Sequence, residues 1–293
     1  MEIEMSESTM LTLPEDYNYI GVFLTFRCQL HCYYCINRIN NLEMRGEING
    51  AAWVRIINSI YTRDIPITLQ GGEPTVHKDF YYIVNNINEE IHIDLLTNLQ
   101  FDIDEFIQNI PPERLKRDAP YASIRVSYHP VAMKYEDIKA RTLKMLDRGY
   151  HIGIWAVMHP QYEGLIHQVK EDAIKAGIDF RVKTFLGFYD NKLYGEYAYP
   201  DSVSRLNEKV ESDQKEVLCR TTEFLIGPDG MVYNCHHDLY TQNNPIRNIT
   251  DNGSNGSGEF RVCRRYGYCN PCDVKIKFNR YQEWGHCSVK IKL

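Results

Sequence analysis

Apolar and polar residues alternate along the first two thirds of the chain in a repeating order. Short apolar runs occur at Ile20–Phe26, Ile65–Leu69, Ile91–Leu96, Tyr121–Val126, Ile152–Met158 and Asp179–Phe185. Each has the length and β-branched or aromatic content of a strand buried on both faces. Between them lie longer stretches of helical spacing: 48–61, with Ile48, Ala52, Ile56 and Ile60 in phase, then 78–89, 102–110, 134–148 and 163–176. Pro111-Pro112 stops the third of these, and Gly149 and Gly177 end the last two. The order is strand, helix, strand, repeated six times at roughly thirty-residue intervals. Such βαβ units build a parallel sheet, and six fall short of the eight of a complete barrel. The predicted fold is α/β, a partial (βα)6 barrel.

The last third breaks the rhythm. Residues 187–200 are rich in Tyr, Gly and Asp without periodicity, and 202–217 have the makings of one more helix. Residues 224–233 read as a β-hairpin turning at Pro228-Asp229-Gly230. This divides the chain into a lead-in (1–18), a barrel (19–187) and a small C-terminal region that contains the hairpin (188–293). Polar and glycine-rich residues fall just after the strand ends: Cys28 to Cys35, Gly71 to Pro74, Thr97-Asn98, Ser127 to His129, and His159. Active sites of such folds assemble at those ends.

Composition narrows the function. The net charge of −6 disfavours a nucleic-acid binder, which needs a basic surface. No apolar run is long enough for a membrane span, and the acidic N-terminus lacks the features of a signal peptide, so the expected location is the cytoplasm. The nine cysteines fall into two groups, 28–35 and 219–287. Clustered thiols in a reducing compartment point to metal ligands rather than disulfides.

Cys28, Cys32 and Cys35 form a tight trio, one ligand short of the four a 4Fe–4S cluster takes. The remaining iron is then open to a non-protein ligand. A zinc knuckle with His31 as fourth ligand is the competing reading. The trio, with Tyr34 before its last cysteine, and Gly71-Gly72-Glu73-Pro74 after the second strand resemble the two signatures of the radical S-adenosylmethionine (SAM) superfamily. The resemblance spans about residues 18–187. It implies that Cys28, Cys32 and Cys35 hold a 4Fe–4S cluster whose open iron binds SAM. The SAM is then cleaved to methionine and a 5′-deoxyadenosyl radical that takes hydrogen from a substrate C–H. Tyr34, Gly71, Gly72, Glu73, Pro74, Thr97, Asn98 and Ser127 are the residues it implies for SAM; Tyr128, His129, His159 and His236 are candidates for substrate.

Cys219, Gly230 followed by Cys235, and Cys269-Asn-Pro-Cys272 resemble the auxiliary-cluster region of the SPASM/Twitch branch. The cysteine that branch places shortly after Cys-x-x-Cys is missing. One auxiliary 4Fe–4S cluster on Cys219, Cys235, Cys269 and Cys272 is therefore implied; a structural zinc on the same thiols is the alternative. Cys263 and Cys287 are left over, as hydrogen-atom donors or plain buried thiols. With only a short lead-in, a small polar substrate is expected: a sugar, aminocyclitol or nucleotide-sugar, dehydrogenated or epimerised. A flavodoxin or ferredoxin is the expected electron donor. The alternatives are a peptide-modifying enzyme and a non-catalytic zinc-binding protein.

Overall fold

The structure, a computed structural model, describes residues 10–35, 44–185, 187–194, 217–251 and 259–263, and the backbone alone of 276–279, 282–287 and 289–292. Six parallel strands carry the first part: β1 Tyr19–Thr25, β2 Ile67–Gly71, β3 Ile93–Thr97, β4 Ile124–Tyr128, β5 Ile152–Met158 and β6 Asp179–Thr184. The longer helices between them are α1 Gly50–Asn58, α2 Phe80–Asn86, α3 Ile103–Asn109, α4 Tyr135–Asp147 and α5 Glu163–Lys175, with a further α-helical turn at Pro112–Leu115. The six strands lie side by side in sequence order, each parallel to the next. This is the partial (βα)6 barrel.

Several strands begin later than their apolar runs. Ile65, Ile91 and Tyr121 are buried ahead of β2, β3 and β4, while the ladders run on into Gln70-Gly71, Thr97 and Ser127-Tyr128. Hydrophobicity marks burial, not pairing, and the polar strand ends pair because they line the mouth of the sheet.

The C-terminal part extends the same sheet. After β7 Val217–Thr221 come β8 Glu223–Ile226, β9 Met231–Tyr233, α6 His236–Thr241, β10 Arg247–Asn248, β11 Arg261–Cys263 and β12 Val289–Lys292. β8 pairs parallel with β1, from Glu223 opposite Tyr19 to Ile226 opposite Val22. The nine-stranded order is β10-β9-β8-β1-β2-β3-β4-β5-β6. β7 instead pairs with β11 and β12 in a separate three-stranded sheet. A further hairpin joins Gly187–Tyr189 to Lys192–Tyr194, turning on Asp190 and Asn191 at φ of 50° and 57°. Two residues with positive φ suit a tight hairpin turn, so an Asp-Asn pair was its signal in the sequence. The helix expected over 202–217 lies outside the described residues except at its end, where residue 217 begins β7.

Side-chain alternation sorts the core. Ile20, Val22 and Leu24 of β1 join Ile67, Leu69, Ile93, Leu95, Ile124, Val126, Ile152 and Ile154 against Trp53, Ile57, Ile83, Phe106, Ile138, Met145 and Ile166 of the helices. Each such buried side chain is worth about 1.5–3 kcal/mol. The intervening positions of β1, Tyr19 and Phe23, face the other way and meet Leu225, Tyr233, Leu239 and Tyr240. On that inner side the sheet also buries Gln70, whose amide donates to Tyr19 Oη at 2.7 Å. Asp94 is buried there too, accepting from Arg117 Nε at 2.7 Å, Tyr121 Oη at 3.0 Å and Arg125 Nη2 at 3.1 Å.

Candidate active site at the strand ends

The cysteine loop leaves the end of β1. Two donors already aim at its first sulfur: Leu30 N at 3.4 Å and Asn98 Nδ2 at 3.6 Å from Cys28 Sγ. Gln29 Nε2 donates to Asn98 Oδ1 at 3.3 Å, tying the loop to the end of β3. Burial pushes the Cys28 thiol up, and pushes Cys32 to about 11, with the nearby Cys35 and Cys28 charges adding to it. Thiols raised in this way become thiolates only around a positive centre, which is what iron supplies.

Gly71 and Gly72 are packed against the start of this loop. A Cβ on Gly71, which sits at φ +143°, would lie 2.0 Å from the Thr25 carbonyl oxygen. One on Gly72 would lie 2.3 Å from that of Arg27 and 2.4 Å from that of Phe26. Gly72 N donates to Thr25 O at 2.9 Å and Glu73 N to Arg27 O at 2.8 Å. Glycine is needed here so that one strand end can lie on another.

Glu73 is a brace. Fully buried, it caps the short 3₁₀ turn Pro74–Val76. Its Oε1 accepts from Thr75 Oγ1 at 2.7 Å and Thr97 Oγ1 at 2.8 Å; its Oε2 accepts from Asn98 N at 2.6 Å. Burial pushes its carboxyl up and these donors pull it back. Through Asn98 the carboxylate fixes the group that reaches Cys28. Thr97 and Asn98, expected at the SAM, thus also hold Glu73 in place.

An aromatic wall closes the other side. Tyr34 stacks on His159 with ring centroids 5.2 Å apart, and its hydroxyl lies 3.4 Å from His129 Nδ1. His159 is also in contact with Phe185 at 4.6 Å and Tyr189 at 4.8 Å. Tyr33 donates to Gln161 Oε1 at 2.7 Å. Desolvation lowers His129 to about 4 and also lowers His159. Tyr33, Phe185 and Tyr189 were not among the expected site residues; only their position beside a motif or strand end hinted at them. Ser127 is half-buried at the end of β4. Tyr128 turns to the helices, edge-on to Tyr135 at 6.0 Å.

His236 lies away from this wall, on the inner side of β1. It is buried, its Nδ1 2.8 Å from Glu223 Oε2, among the rings of Phe23 and Tyr240. Nearby, Cys235 Sγ accepts from Asp238 N at 3.5 Å and Arg261 Nη2 at 3.3 Å. Cys263 lies beside Cys219, a side-chain hydrogen-bond partner. Cys269 and Cys272 fall outside the described residues, and of Cys287 only the backbone is described. Among the described residues no three His, Cys, Asp or Glu side chains converge as the ligands of a single metal ion do. A cubane presents its irons at separate corners, so its thiolates have no need to meet at one point.

No protein-family profile matches the chain. Over 227 residues, 70% of the chain, it is 24% identical to the PqqA peptide cyclase of Bradyrhizobium diazoefficiens and covers 57% of that protein. Streptococcus suis SuiB bound to the precursor peptide SuiA superposes with a TM-score of 0.54 at 16% identity, over 85% of this chain and 66% of SuiB. The enzyme anSMEcpe with bound AdoMet and the Kp18Cys peptide gives 0.53 at 15% identity, over 85% and 80%.

The chain shares its fold with SuiB and anSMEcpe.

The resemblance of the motifs implies a 4Fe–4S cluster and SAM, and anSMEcpe is seen with AdoMet bound. The three thiols after β1, with donors preset at Cys28, fit the first of these. The relatives also correct the expected substrate. A sugar, aminocyclitol or nucleotide-sugar was inferred from the short lead-in; the relatives and neighbours named above are a peptide cyclase and enzymes seen with peptides. The length of a lead-in says little about substrate, because a peptide can be recognised by the barrel mouth itself. The chain spans a little over half the length of that cyclase. Among the described residues no helix is long and apolar enough to cross a membrane.

Proposed function

We propose that this chain is a radical SAM enzyme that modifies a peptide. The match to PqqA peptide cyclase over 70% of the chain carries this reading. When bound, cluster and SAM supply a one-electron cleavage that yields a 5′-deoxyadenosyl radical able to take hydrogen from a C–H bond. The protein's part is positioning. Cys28, Cys32 and Cys35 hold the cluster, and Asn98 and the Leu30 amide hydrogen-bond to the first thiolate. Glu73 keeps Asn98 aimed, and Gly71 and Gly72 keep β2 against the loop. Tyr34, His129, His159, Phe185 and Tyr189 offer a peptide side chain a ring-lined wall that is uncharged at neutral pH, because His129 titrates near 4. A flavodoxin or ferredoxin supplies the electron.

The test is anaerobic incubation of the reconstituted protein with SAM, a reductant and a library of short synthetic peptides. Peptide-dependent 5′-deoxyadenosine and a modified peptide are expected. A product two hydrogens lighter marks cross-linking or dehydrogenation; unchanged mass with deuterium gained from solvent marks epimerisation. Cys32→Ala is expected to abolish 5′-deoxyadenosine formation. Turnover of a nucleotide-sugar with none of the peptides, or cleavage surviving in Cys32→Ala, would overturn the assignment.

A further inference from the structure

Thiols from three separate segments gather where the small sheet meets α6. β7 and β11 run antiparallel with Cys219 opposite Arg261 and residue 217 opposite Cys263. Arg261 and Cys263, two residues apart, share one face of β11, and Cys219, directly across from Arg261, lies on that same face. The Cys219 and Cys263 thiols are hydrogen-bond partners. Arg261 completes the arrangement from its own position on β11. Its Nη2 donates to Cys235 Sγ at 3.3 Å, and its Nη1 lies 2.9 Å from Asp238 Oδ2. Cys235 therefore meets a guanidinium that a carboxylate holds in place, and Cys219, paired with Cys263, lies across the strand pair from that arginine.

We infer that Cys263 is a ligand of the auxiliary cluster, together with Cys219 and Cys235. The inference rests on the reading that this chain carries such a cluster, and it replaces the expectation of Cys263 as a spare hydrogen-atom donor. The chemistry is that of the donor set. As thiols the three are weak hydrogen-bonding groups. As thiolates they repel, and a single guanidinium cannot balance them. Iron at separate corners of a cubane neutralises all three, and the guanidinium then donates to a ligated sulfur. Cys219 is buried and Cys263 half-buried, positions suited to holding a centre rather than to meeting a substrate.

The experiment uses the full chain with Cys28, Cys32 and Cys35 all changed to Ala, so that only auxiliary iron remains. After anaerobic reconstitution about four irons and four sulfides per chain are expected. Adding Cys263→Ala is expected to remove most of that iron and the cluster absorption. Cys263→Ser, an oxygen ligand of similar size, is expected to keep iron but alter the electron paramagnetic resonance spectrum of the reduced cluster. Circular dichroism checks that both variants fold; if Cys263→Ala does not, the Cys263→Ser spectrum decides. Full iron and an unchanged spectrum in both variants would overturn the role of Cys263 while leaving the auxiliary cluster in place. A Cys219–Cys263 disulfide in the loaded protein, found by thiol titration and mass spectrometry, would overturn it too. Absence of iron from the parent triple variant would instead remove the auxiliary cluster itself, and the inference with it.

Discussion

Single residues at this site act mostly by orienting one another. Glu73 holds Asn98, and Asn98 donates to Cys28. His129 is neutral because its surroundings desolvate it, with its folded pKa lowered to about 4 from the ordinary 6.5. The unfolded chain therefore takes up this proton first on acidification. The stability His129 contributes is complete above about pH 6.5 and is lost as pH falls toward 4. His129→Asn is expected to lose less stability than the parent between those two values, as measured by urea denaturation across that range. Equal slopes would show that His129 is not the titrating group. Arg261 is the positioning residue of the second thiol group. Arg261→Gln removes a charged donor to Cys235 Sγ and is expected to make the auxiliary cluster's potential more negative with iron content unchanged. A potentiometric titration followed by electron paramagnetic resonance reads the shift; an unmoved potential would separate Arg261 from the cluster.

At the scale of elements, the decisive contact is between the ends of β1 and β2. Gly71 at φ +143° lets β2 run onto the carbonyl of Thr25, and no other residue fits there without displacing one strand. Gly71→Ala is expected to cost at least about 1–3 kcal/mol of backbone strain. It should also cut 5′-deoxyadenosine formation, because the shift passes directly to the cysteine loop. Thermal melting and turnover measured together check this; a variant with both unchanged would show that the strand end tolerates the displacement. By contrast β8, which pairs with β1 on its other side, carries its effect through packing: Leu225 meets Tyr19 and Phe23 within the inner cluster.

For the molecule as a whole, the inner side of the sheet is not filled by hydrophobic residues alone. Asp94 is enclosed by two arginines and a tyrosine, with Arg117 and Asp94 side chains only 3% and 1% exposed. Burial disfavours the Arg117 charge, and the Asp94 partnership outweighs it and raises that pKa. Removing one partner of such a group strands the other. Asp94→Ala is expected to destabilise the fold by roughly 3–5 kcal/mol, measured by chemical denaturation. Cluster loading in the protein that remains folded should be normal, since the network lies on β3 before its end. A loss below 1 kcal/mol would mean that solvent reaches these groups.

What the sequence determined by itself was local. Three thiols within eight residues, two glycines before Glu-Pro, and apolar runs alternating with helical spacing are all features of neighbours in the chain. The partial barrel and the thiol loop at its first strand end were therefore legible in it. Tertiary structure decided the rest, because the partners come from distant segments. Glu73 and Asn98 meet across two strands, Tyr34 finds His159 far along the chain, and β8 joins β1 rather than standing apart. Cys263 looked spare beside the Cys-x-x-Cys pair, and only strand pairing set it next to Cys219. A cysteine's spacing says which thiols are close along the backbone; which of them share a face depends on register, and register is fixed by the packing of the whole sheet.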